Sequence, residues 1–428
     1  MEIDSDGYRG RLVDRELDEL VPALAAIALE GAKGVGKTFT ALQRASTVYR
    51  LDDPAERSVL AADPARLLEG TPPILIDEWQ YLPSSFDLVR RAVDAGAAPG
   101  RFLLTGSASP STPATHTGAG RIVSLRMRPM TSHERGFEIP TVSLRNLLGG
   151  DRGPLEGQTD VRLEQYVTEI LGSGFPGLRG LSGRPLRAQL DGYLRRVVDR
   201  EFEEAGRRLR NPEALRRWLT AYAAASSTTA SYETIADAAA GGQAERPART
   251  TTMAYRDVLQ RLWVLDPLPA WLPTRNRIRR LSSPPKHQLA DPALAARLLG
   301  VDLGALLDAA PVGPAVPRDG TLLGSLFESL VTLDVRVYAQ AAEASVGHLR
   351  TAAGEQEVDL IVERADGRVV AIEVKLARSV GDGDVRALQW LAGRLGDSLL
   401  DAIVITTGPD AYRRPDGIGV VPAALLGP

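Results

Sequence analysis

Short apolar runs alternate with amphipathic segments over the first 150 residues of the chain. The apolar runs predict buried strands at 25–29, 47–51, 73–77, 101–104 and 122–125. Apolar residues at helical spacing predict helices over 8–22, 39–48, 63–68 and 86–95. Strands that alternate with helices in this way indicate a parallel sheet with helices on both faces.

The pattern becomes helical between about residues 160 and 310. Helices are expected over 186–205, 214–225, 232–239 and 250–262, with Asn211 and Ser231 as N-caps and a turn at Gly241-Gly242. The last three helices have the order of a winged helix-turn-helix, in which Arg246, Arg249 and Arg256 would read DNA. The third helix carries few positive charges, which favours a role in structure or domain contact over DNA binding.

A third pattern begins near residue 316. A helix over 322–335 precedes two strands, 355–362 and 369–376, which Gly367 joins as a hairpin. The fold class is therefore a multidomain α/β protein. Its domains are predicted at 1–150 (parallel sheet), 151–315 (helical, with the winged helix) and 316–428 (α/β), and the stretch LLGGDRGPLEG is interpreted as the first linker.

Composition limits the location of the protein and its partners. The net charge of −3 means that any nucleic-acid surface must be local, and the best basic stretch is 274–286. That stretch is either a phosphate-backbone contact or an ordinary solvated loop. Cysteine is absent and the four histidines are scattered, which excludes disulfides and argues against a zinc site. Without a secretory signal or a long apolar run, a cytoplasmic protein with no membrane contact is expected.

The stretch GAKGVGKT follows the first predicted strand and precedes a helix. Its spacing, GxxxxGKT, is that of a phosphate-binding loop, in which backbone N–H groups and a helix N-terminus surround anionic oxygens. The lysine would contact the β- and γ-phosphates of ATP, and the threonine hydroxyl would ligate Mg²⁺. The predicted ATP-binding residues are Gly31, Ala32, Lys33, Gly34, Val35, Gly36, Lys37 and Thr38.

Two further strands end in polar residues that suit the same site. Asp77 and Glu78 follow a buried run, so Asp77 would hold Mg²⁺ and Glu78 would orient or deprotonate the attacking water. Thr105 and Ser107 follow the next predicted strand, where a hydroxyl can sense the γ-phosphate or the water. An ordinary strand-to-loop turn explains that composition nearly as well.

A second cluster of candidate catalytic residues lies near the C-terminus. Glu373 and Lys375 share one face of a predicted strand, and Asp359 lies on its hairpin partner. With Glu328 from the preceding helix, these carboxylates could hold Mg²⁺ at Asp359 and Glu373 and activate water for phosphodiester cleavage. The alternative is a polar hairpin with an exposed Glu373–Lys375 ion pair. Four of the 51 basic residues are lysines, and each is therefore a candidate for a specific chemical role: Lys33, Lys37, Lys286 and Lys375.

The chain resembles the bacterial and archaeal AAA+-like P-loop ATPases that carry a C-terminal domain of unknown function. The resemblance rests on GAKGVGKT, ILIDEWQ, LLTGSASP, GAGRIVSLRMRPMTSHERG, GYLRRVVDRE, PKHQLADPAL, LFESLV and EVDLIVERADGRVVAIEVKLA. It implies an ATPase domain, a winged-helix middle and a nuclease-like PD-(D/E)xK end. The catalytic set of that end matches Glu328, Asp359, Glu373 and Lys375, although Val358 stands where the motif has proline.

The sequence thus predicts Mg²⁺-dependent ATP hydrolysis coupled to a nuclease-like domain that binds or cleaves nucleic acid, with DNA favoured over RNA. The alternative is an ATP-dependent switch that acts on a protein partner and has a catalytically silent C-terminal domain. The oligomeric state stays open, since Arg121, which could lie near a phosphate or a neighbouring subunit, is better explained as a surface residue.

Overall fold

The computed structural model describes residues 7–107, 120–204, 209, 211–241, 248–273, 283–307, 320–351 and 355–428. None of the helices in this described part of the chain is long and apolar enough to cross a membrane.

The N-terminal region is built on a five-stranded sheet in which every neighbouring pair is parallel. The strands are β1 (Ala26–Glu30), β2 (Thr47–Arg50), β3 (Ile74–Asp77), β4 (Phe102–Gly106) and β5 (Val123–Arg126). Their order across the sheet is β2-β3-β4-β1-β5. The predicted parallel sheet is confirmed. The carboxyl ends of β1, β3 and β4 lie at one edge of this sheet, where open α/β sheets bind their ligands.

The helices of this region are Leu12–Leu20, Lys37–Leu42, Pro54–Ala62 and Ser84–Asp94. The helix after the glycine-rich loop is shorter than predicted, because the chain turns at Leu42 to enter β2. The helix Pro54–Ala62 is missing from the prediction, although its start has a clear signal. Asp53 accepts a hydrogen bond from the Ala55 N–H at 2.8 Å, and Pro54 occupies the first helical position.

The middle region is helical, as expected. Its helices are Leu163–Gly172, Gly183–Arg196, Phe202–Glu204, Pro212–Ala224, Tyr232–Ala240, Arg249–Arg261, Pro292–Leu298 and Leu303–Leu307. Asn211 and Ser231 cap their helices as predicted, and Gly241 ends the shorter one in a left-handed conformation. Three helices with these caps do not by themselves establish a winged helix, which stays a prediction. Gly242 and Arg246 lie outside the described residues.

The C-terminal region contains a seven-stranded mixed sheet in the order β7-β12-β13-β11-β10-β9-β8. Its strands are β7 (Gly157–Gln158), β8 (Ser345–Arg350), β9 (Glu357–Glu363), β10 (Val369–Val374), β11 (Leu399–Thr406), β12 (Asp410–Arg413) and β13 (Gly419–Pro422). The helices Gly320–Ala341 and Arg386–Leu395 pack against it. The predicted hairpin is present, since β9 and β10 pair antiparallel with Leu360 opposite Ile372.

The segment interpreted as a linker is part of the C-terminal architecture. A short strand β6 (Val142–Ser143) pairs with β14 (Leu426–Gly427), and β7 joins the edge of the seven-stranded sheet. The helix Leu144–Gly149 packs between them against β10 and β11. The largest hydrophobic cluster also contains residues from all three predicted domains. The three regions therefore pack together through this cluster, beside two smaller clusters, one in the N-terminal region and one mainly in the C-terminal region.

Candidate functional site

The glycine-rich loop connects β1 to the helix Lys37–Leu42, as its spacing predicts. A Cβ at Gly31 would lie 2.1 Å from the carbonyl oxygen of Met127, so no larger residue fits there. Gly36 is the N-cap of the helix and has φ +99°, a conformation that glycine adopts readily. These two positions explain why the turn requires glycine.

Lys37 is directed back into its own loop. Its side chain is 4% exposed, and its Nζ donates hydrogen bonds to the carbonyl oxygens of Gly31 at 2.8 Å and Ala32 at 3.0 Å. Burial lowers the pKa of Lys37 to about 8, despite the opposing charges of Glu78 and Asp77. The ammonium thus has neutral partners only, which an anionic oxygen can replace.

Asp77 ends β3 and lies beside the loop, with β4 between β3 and β1. Its Oδ1 accepts a hydrogen bond from the Thr38 hydroxyl at 2.8 Å and a second, very short one from the Thr105 hydroxyl. Burial raises the pKa of Asp77, although these hydrogen bonds act in the opposite direction. The two predicted Mg²⁺ ligands, Thr38 and Asp77, are therefore in direct contact.

Glu78 follows immediately in a left-handed conformation, with φ 54°. Its carboxylate accepts a hydrogen bond from the Ser107 hydroxyl at 3.1 Å and one from the Gln80 amide, which also donates to Ser107 at 3.2 Å. Positive φ is costly for a glutamate and is found at functional sites. The structure brings Ser107 to the predicted water-activating residue, and it adds Gln80, which the sequence analysis did not identify.

Arg11 also supports the loop and was not identified from the sequence. It is buried, and its guanidinium donates to the Val35 carbonyl oxygen at 2.7 Å and to the Glu134 carboxylate at 3.0 Å. The arginine precedes the helix Leu12–Leu20, far from the loop along the chain. A single sequence offers no local signal for this pairing.

The middle region lies against the same loop. Lys33 Nζ is 3.7 Å from a carboxylate oxygen of Glu201, which is buried in a π-helical turn, Val197–Glu201. Atoms of Phe175 and Pro176 lie within 4 Å of the positions that Cβ atoms would take at Gly34 and Gly36. Single π-helical turns occur frequently at functional sites. The helical region thus packs against the glycine-rich loop.

The C-terminal cluster also forms. Glu373, on β10, accepts a hydrogen bond from Lys375 at 2.7 Å, and Asp359, on β9, accepts one from the Val374 N–H at 2.9 Å. Burial raises the pKa of Glu328 and of Glu373, and in both cases the neighbouring Asp359 adds to the effect. The structure therefore brings together all four residues predicted for this cluster, Glu328, Asp359, Glu373 and Lys375.

The same cluster contains an unexpected cation. Lys286, from the predicted basic stretch, is 1% exposed, and its Nζ lies within 3.0 Å of oxygens of Glu328, Glu357 and Asp359. Both alternatives for the stretch, a phosphate-backbone contact and a solvated loop, are therefore wrong at Lys286, because its side chain is buried. The other basic residues of the stretch, Arg275, Arg277, Arg279 and Arg280, lie outside the described residues.

The predicted metal ligands of this cluster do not form a metal site. Both carboxylate oxygens of Asp359 already accept hydrogen bonds, one from Lys286 and one from the backbone of Val374. Among the described residues there is no group of three or more His, Asp or Glu side chains that could hold a metal ion. The arrangement does not fit Mg²⁺.

Two other predicted arginines have local partners. Arg256 lies 5.0 Å from the ring centroid of Tyr232 and pairs with Asp257 at 3.1 Å. Arg121 pairs with Asp94 at 2.7 Å. These contacts are what ordinary surface arginines make, so neither residue gains a functional assignment from them.

Three family models match successive parts of the chain. Residues 24–135 match an AAA domain, residues 163–304 match a domain of unknown function (DUF8612), and residues 323–426 match another (DUF4143). The AAA match covers the loop, β3 and β4. This match supports the P-loop ATPase that the motifs predict for the N-terminal region. The two other matches name no activity, so the nuclease-like end stays a prediction.

The chain is similar over most of its length to two mycobacterial proteins. It is 26% identical over 358 residues to the uncharacterized protein Mb2031c of Mycobacterium bovis, which covers 82% of this chain and 70% of that protein. The same figures hold for the uncharacterized protein Rv2008c of Mycobacterium tuberculosis.

Two solved structures show limited similarity. The Walker-type ATPase PABY2304 of Pyrococcus abyssi is 17% identical with a TM-score of 0.41, covering 68% of this chain and 95% of the other. The replication initiator DnaA, bound to AMPPCP and single-stranded DNA, is 16% identical with a TM-score of 0.26. The match covers 60% of this chain and 91% of the DnaA chain. TM-scores this low do not establish a shared fold.

Proposed function

We propose that the chain binds ATP with Mg²⁺ at the loop 31–38 and hydrolyses it. The observation that supports this most directly is the hydrogen bond of 2.8 Å between Thr38 and Asp77, beside the buried ammonium of Lys37. Phosphoryl transfer requires an ammonium, a hydroxyl and a carboxylate of this kind, and here they come from two segments far apart in sequence.

The loop contributes positive charge to the bound triphosphate. Lys37 exchanges its two carbonyl partners for β- and γ-phosphate oxygens, which make stronger, charge-assisted hydrogen bonds. The backbone N–H groups of the loop and the N-terminus of the helix Lys37–Leu42 hold the remaining phosphate oxygens.

Thr38 and Asp77 present the oxygen ligands that Mg²⁺ prefers, and they would hold the ion against the phosphates. When bound, Mg²⁺ neutralises charge on the β- and γ-phosphate oxygens. Glu78 accepts a proton from the attacking water, and Ser107 and Gln80 fix the orientation of its carboxylate.

Two variants test this proposal in separate ways. Lys37→Ala is expected to weaken ATP binding roughly 10- to 150-fold, because a charge-assisted hydrogen bond contributes about 1.5–3 kcal/mol and each 1.4 kcal/mol is about tenfold in affinity. Glu78→Gln is expected to retain binding but to lower the hydrolysis rate by roughly 10²- to 10⁴-fold. Calorimetry gives the affinity, and phosphate release gives the rate.

The exposed residues Arg187 and Glu69 provide matched controls, as Arg187→Ala and Glu69→Gln. Neither control should change affinity or rate. Near-normal ATP affinity in Lys37→Ala would contradict the binding site, and near-normal turnover in Glu78→Gln would contradict the role of that carboxylate.

We further infer that ATP acts as a switch on the helical region. The supporting contact is the one between Lys33 in the loop and Glu201 in the π-helical turn. A triphosphate competes with Glu201 for Lys33, so nucleotide binding would loosen the turn from the loop. The conformational change is then driven by the difference in nucleotide affinity between two arrangements.

Hydrogen exchange with and without a non-hydrolysable ATP analogue tests the switch. Exchange at residues 197–201 is expected to rise when the analogue binds. In Lys33→Met, where the ion pair is absent from the start, the nucleotide-dependent difference should shrink. Equal protection at 197–201 with and without the analogue in the wild type would contradict the switch.

A further inference from the structure

The acidic cluster of the C-terminal region is built around a lysine from another part of the chain. Lys286 pairs through its backbone with Leu268, with N···O distances of 3.0 and 2.9 Å, which anchors the segment that carries it. Its Nζ then reaches Asp359 at 2.8 Å and Glu328 and Glu357 at 3.0 Å each. An ammonium has three donors, and here each faces a carboxylate.

The lysine fits this position electrostatically. Burial alone would lower the pKa of Lys286, but Asp359, Glu328 and Glu357 raise it above its usual value. The side chain therefore stays charged at any physiological pH. It forms the centre of the cluster in the way that a bound cation would.

The carboxylates of the cluster are engaged by donors from the protein itself. Each oxygen of Asp359 accepts one hydrogen bond, from Lys286 or from the Val374 N–H, and one oxygen of Glu373 accepts one from Lys375. The other oxygen of Glu373 is buried without a hydrogen-bond partner. Among the described residues, no group of three or more His, Asp or Glu side chains is arranged to hold a metal ion, so the several oxygen ligands that Mg²⁺ requires are not assembled here.

The charges within the cluster are nearly balanced. Arg350 lies 3.7 Å from Glu357 and adds a third cation to the two lysines. Burial raises the pKa of Glu328 and of Glu373, so these two groups carry less than a full negative charge, and the four carboxyl groups do not outweigh the three cations. A divalent cation would add charge to a cluster that is already close to neutral, so little electrostatic attraction remains for it.

We propose that the Lys286 ammonium takes the place of a divalent cation at Asp359, where it also pairs with Glu328 and Glu357. The C-terminal region then binds no Mg²⁺ at Asp359 and Glu373 and does not cleave phosphodiesters. Its carboxylates serve instead to fix the segment 283–287 to β9 and to the helix Gly320–Ala341. This inference is independent of ATP hydrolysis at the loop.

Binding of Mn²⁺ to the nucleotide-free, full-length protein tests this proposal, with the free ion followed by electron paramagnetic resonance. All samples carry Asp77→Asn, which removes the carboxylate that could hold Mn²⁺ at the loop. In this background the protein is expected to bind no Mn²⁺ at the cluster. Adding Lys286→Met is expected to create one Mn²⁺ site, and adding Asp359→Asn as well should abolish it.

Two results would overturn the proposal. One is a Mn²⁺ site in the Asp77→Asn protein that disappears when Asp359→Asn is added. The other is a folded Lys286→Met protein that gains no site. If Lys286→Met does not fold, the proposal is decided by comparing the Asp77→Asn protein with the same protein carrying Asp359→Asn. Absence of Mn²⁺ binding in both proteins supports the proposal. Lys375→Met is the matched lysine control and should not create a site of comparable affinity, since Lys286 remains in place.

Discussion

Two buried lysines in this molecule have opposite surroundings. Lys37, 4% exposed, donates only to the neutral carbonyl oxygens of Gly31 and Ala32, and burial lowers its pKa to about 8. Lys286, 1% exposed, contacts three carboxylates, which raise its pKa. The first lysine has carbonyl oxygens and no carboxylate as its hydrogen-bond partners, whereas the second has three carboxylates in direct contact.

This difference separates a binding site from an internal ion-pair network. A buried charge without a counter-ion destabilises the empty protein, and a ligand of opposite charge recovers that free energy on binding. A buried charge whose counter-ions are already in place recovers no such free energy when a ligand binds. The partners of a lysine, more than its burial, therefore indicate whether it serves function or structure.

The largest expected effect comes from replacing each lysine with methionine and measuring stability without nucleotide. Lys286→Met leaves three carboxylates without their cation and is expected to cost about 3–5 kcal/mol of the free energy of unfolding. Lys37→Met removes a charge that has only neutral partners, so stability should stay unchanged or rise. Denaturant unfolding of the two variants and the wild type gives the comparison.

Whether each replacement lowers or raises the stability follows from the pKa of the lysine that is replaced. A folded-state pKa below the unfolded value, as for Lys37, means that the charged form opposes folding at neutral pH. A raised value, as for Lys286, means that the charged form favours folding, and this contribution persists until the pH rises beyond the unfolded pKa. Equal losses of stability in the two variants would contradict the comparison.

A smaller effect is expected from pH on nucleotide affinity. Phosphates bind the charged form of Lys37, whose pKa in the empty protein is about 8. Affinity should therefore be constant below pH 8 and should fall by up to about tenfold for each pH unit above it, with proton uptake on binding. Calorimetry at pH 7, 8 and 9, in buffers of different ionisation enthalpy, measures both quantities.

Lys37→Arg is the matched variant for this measurement. Arginine stays charged throughout this range, so any binding that remains should lose the dependence on pH above 8. An unchanged affinity from pH 7 to pH 9 in the wild type would show that Lys37 is already fully charged in the empty site.

Much of the candidate nucleotide site could be predicted from the sequence because its parts are local. The spacing of Gly31, Gly36, Lys37 and Thr38 follows from the geometry of one turn and one helix start. Asp77 could be added because parallel strands end at the same edge of a sheet. The helix Pro54–Ala62 was missed although Asp53 and Pro54 marked its start, so that omission reflects the interpretation and not the sequence.

The C-terminal cluster shows where prediction from sequence stopped. Residue types and spacing brought Glu328, Asp359, Glu373 and Lys375 into one predicted site, and the structure places them together. They did not reveal that Lys286, 42 residues before Glu328, fills the space between the carboxylates. Its neighbours in sequence are arginines and polar residues, which favoured a surface loop.

The sequence by itself determined the loop, the strand ends and the hairpin, because local turns and strand periodicity are encoded within a few residues. Only the tertiary structure decided what each buried charge faces. Contacts such as Arg11 with Glu134, Lys33 with Glu201 and Lys286 with Asp359 join segments far apart along the chain. Their strength depends on distance and burial, and neither quantity exists until the chain has folded.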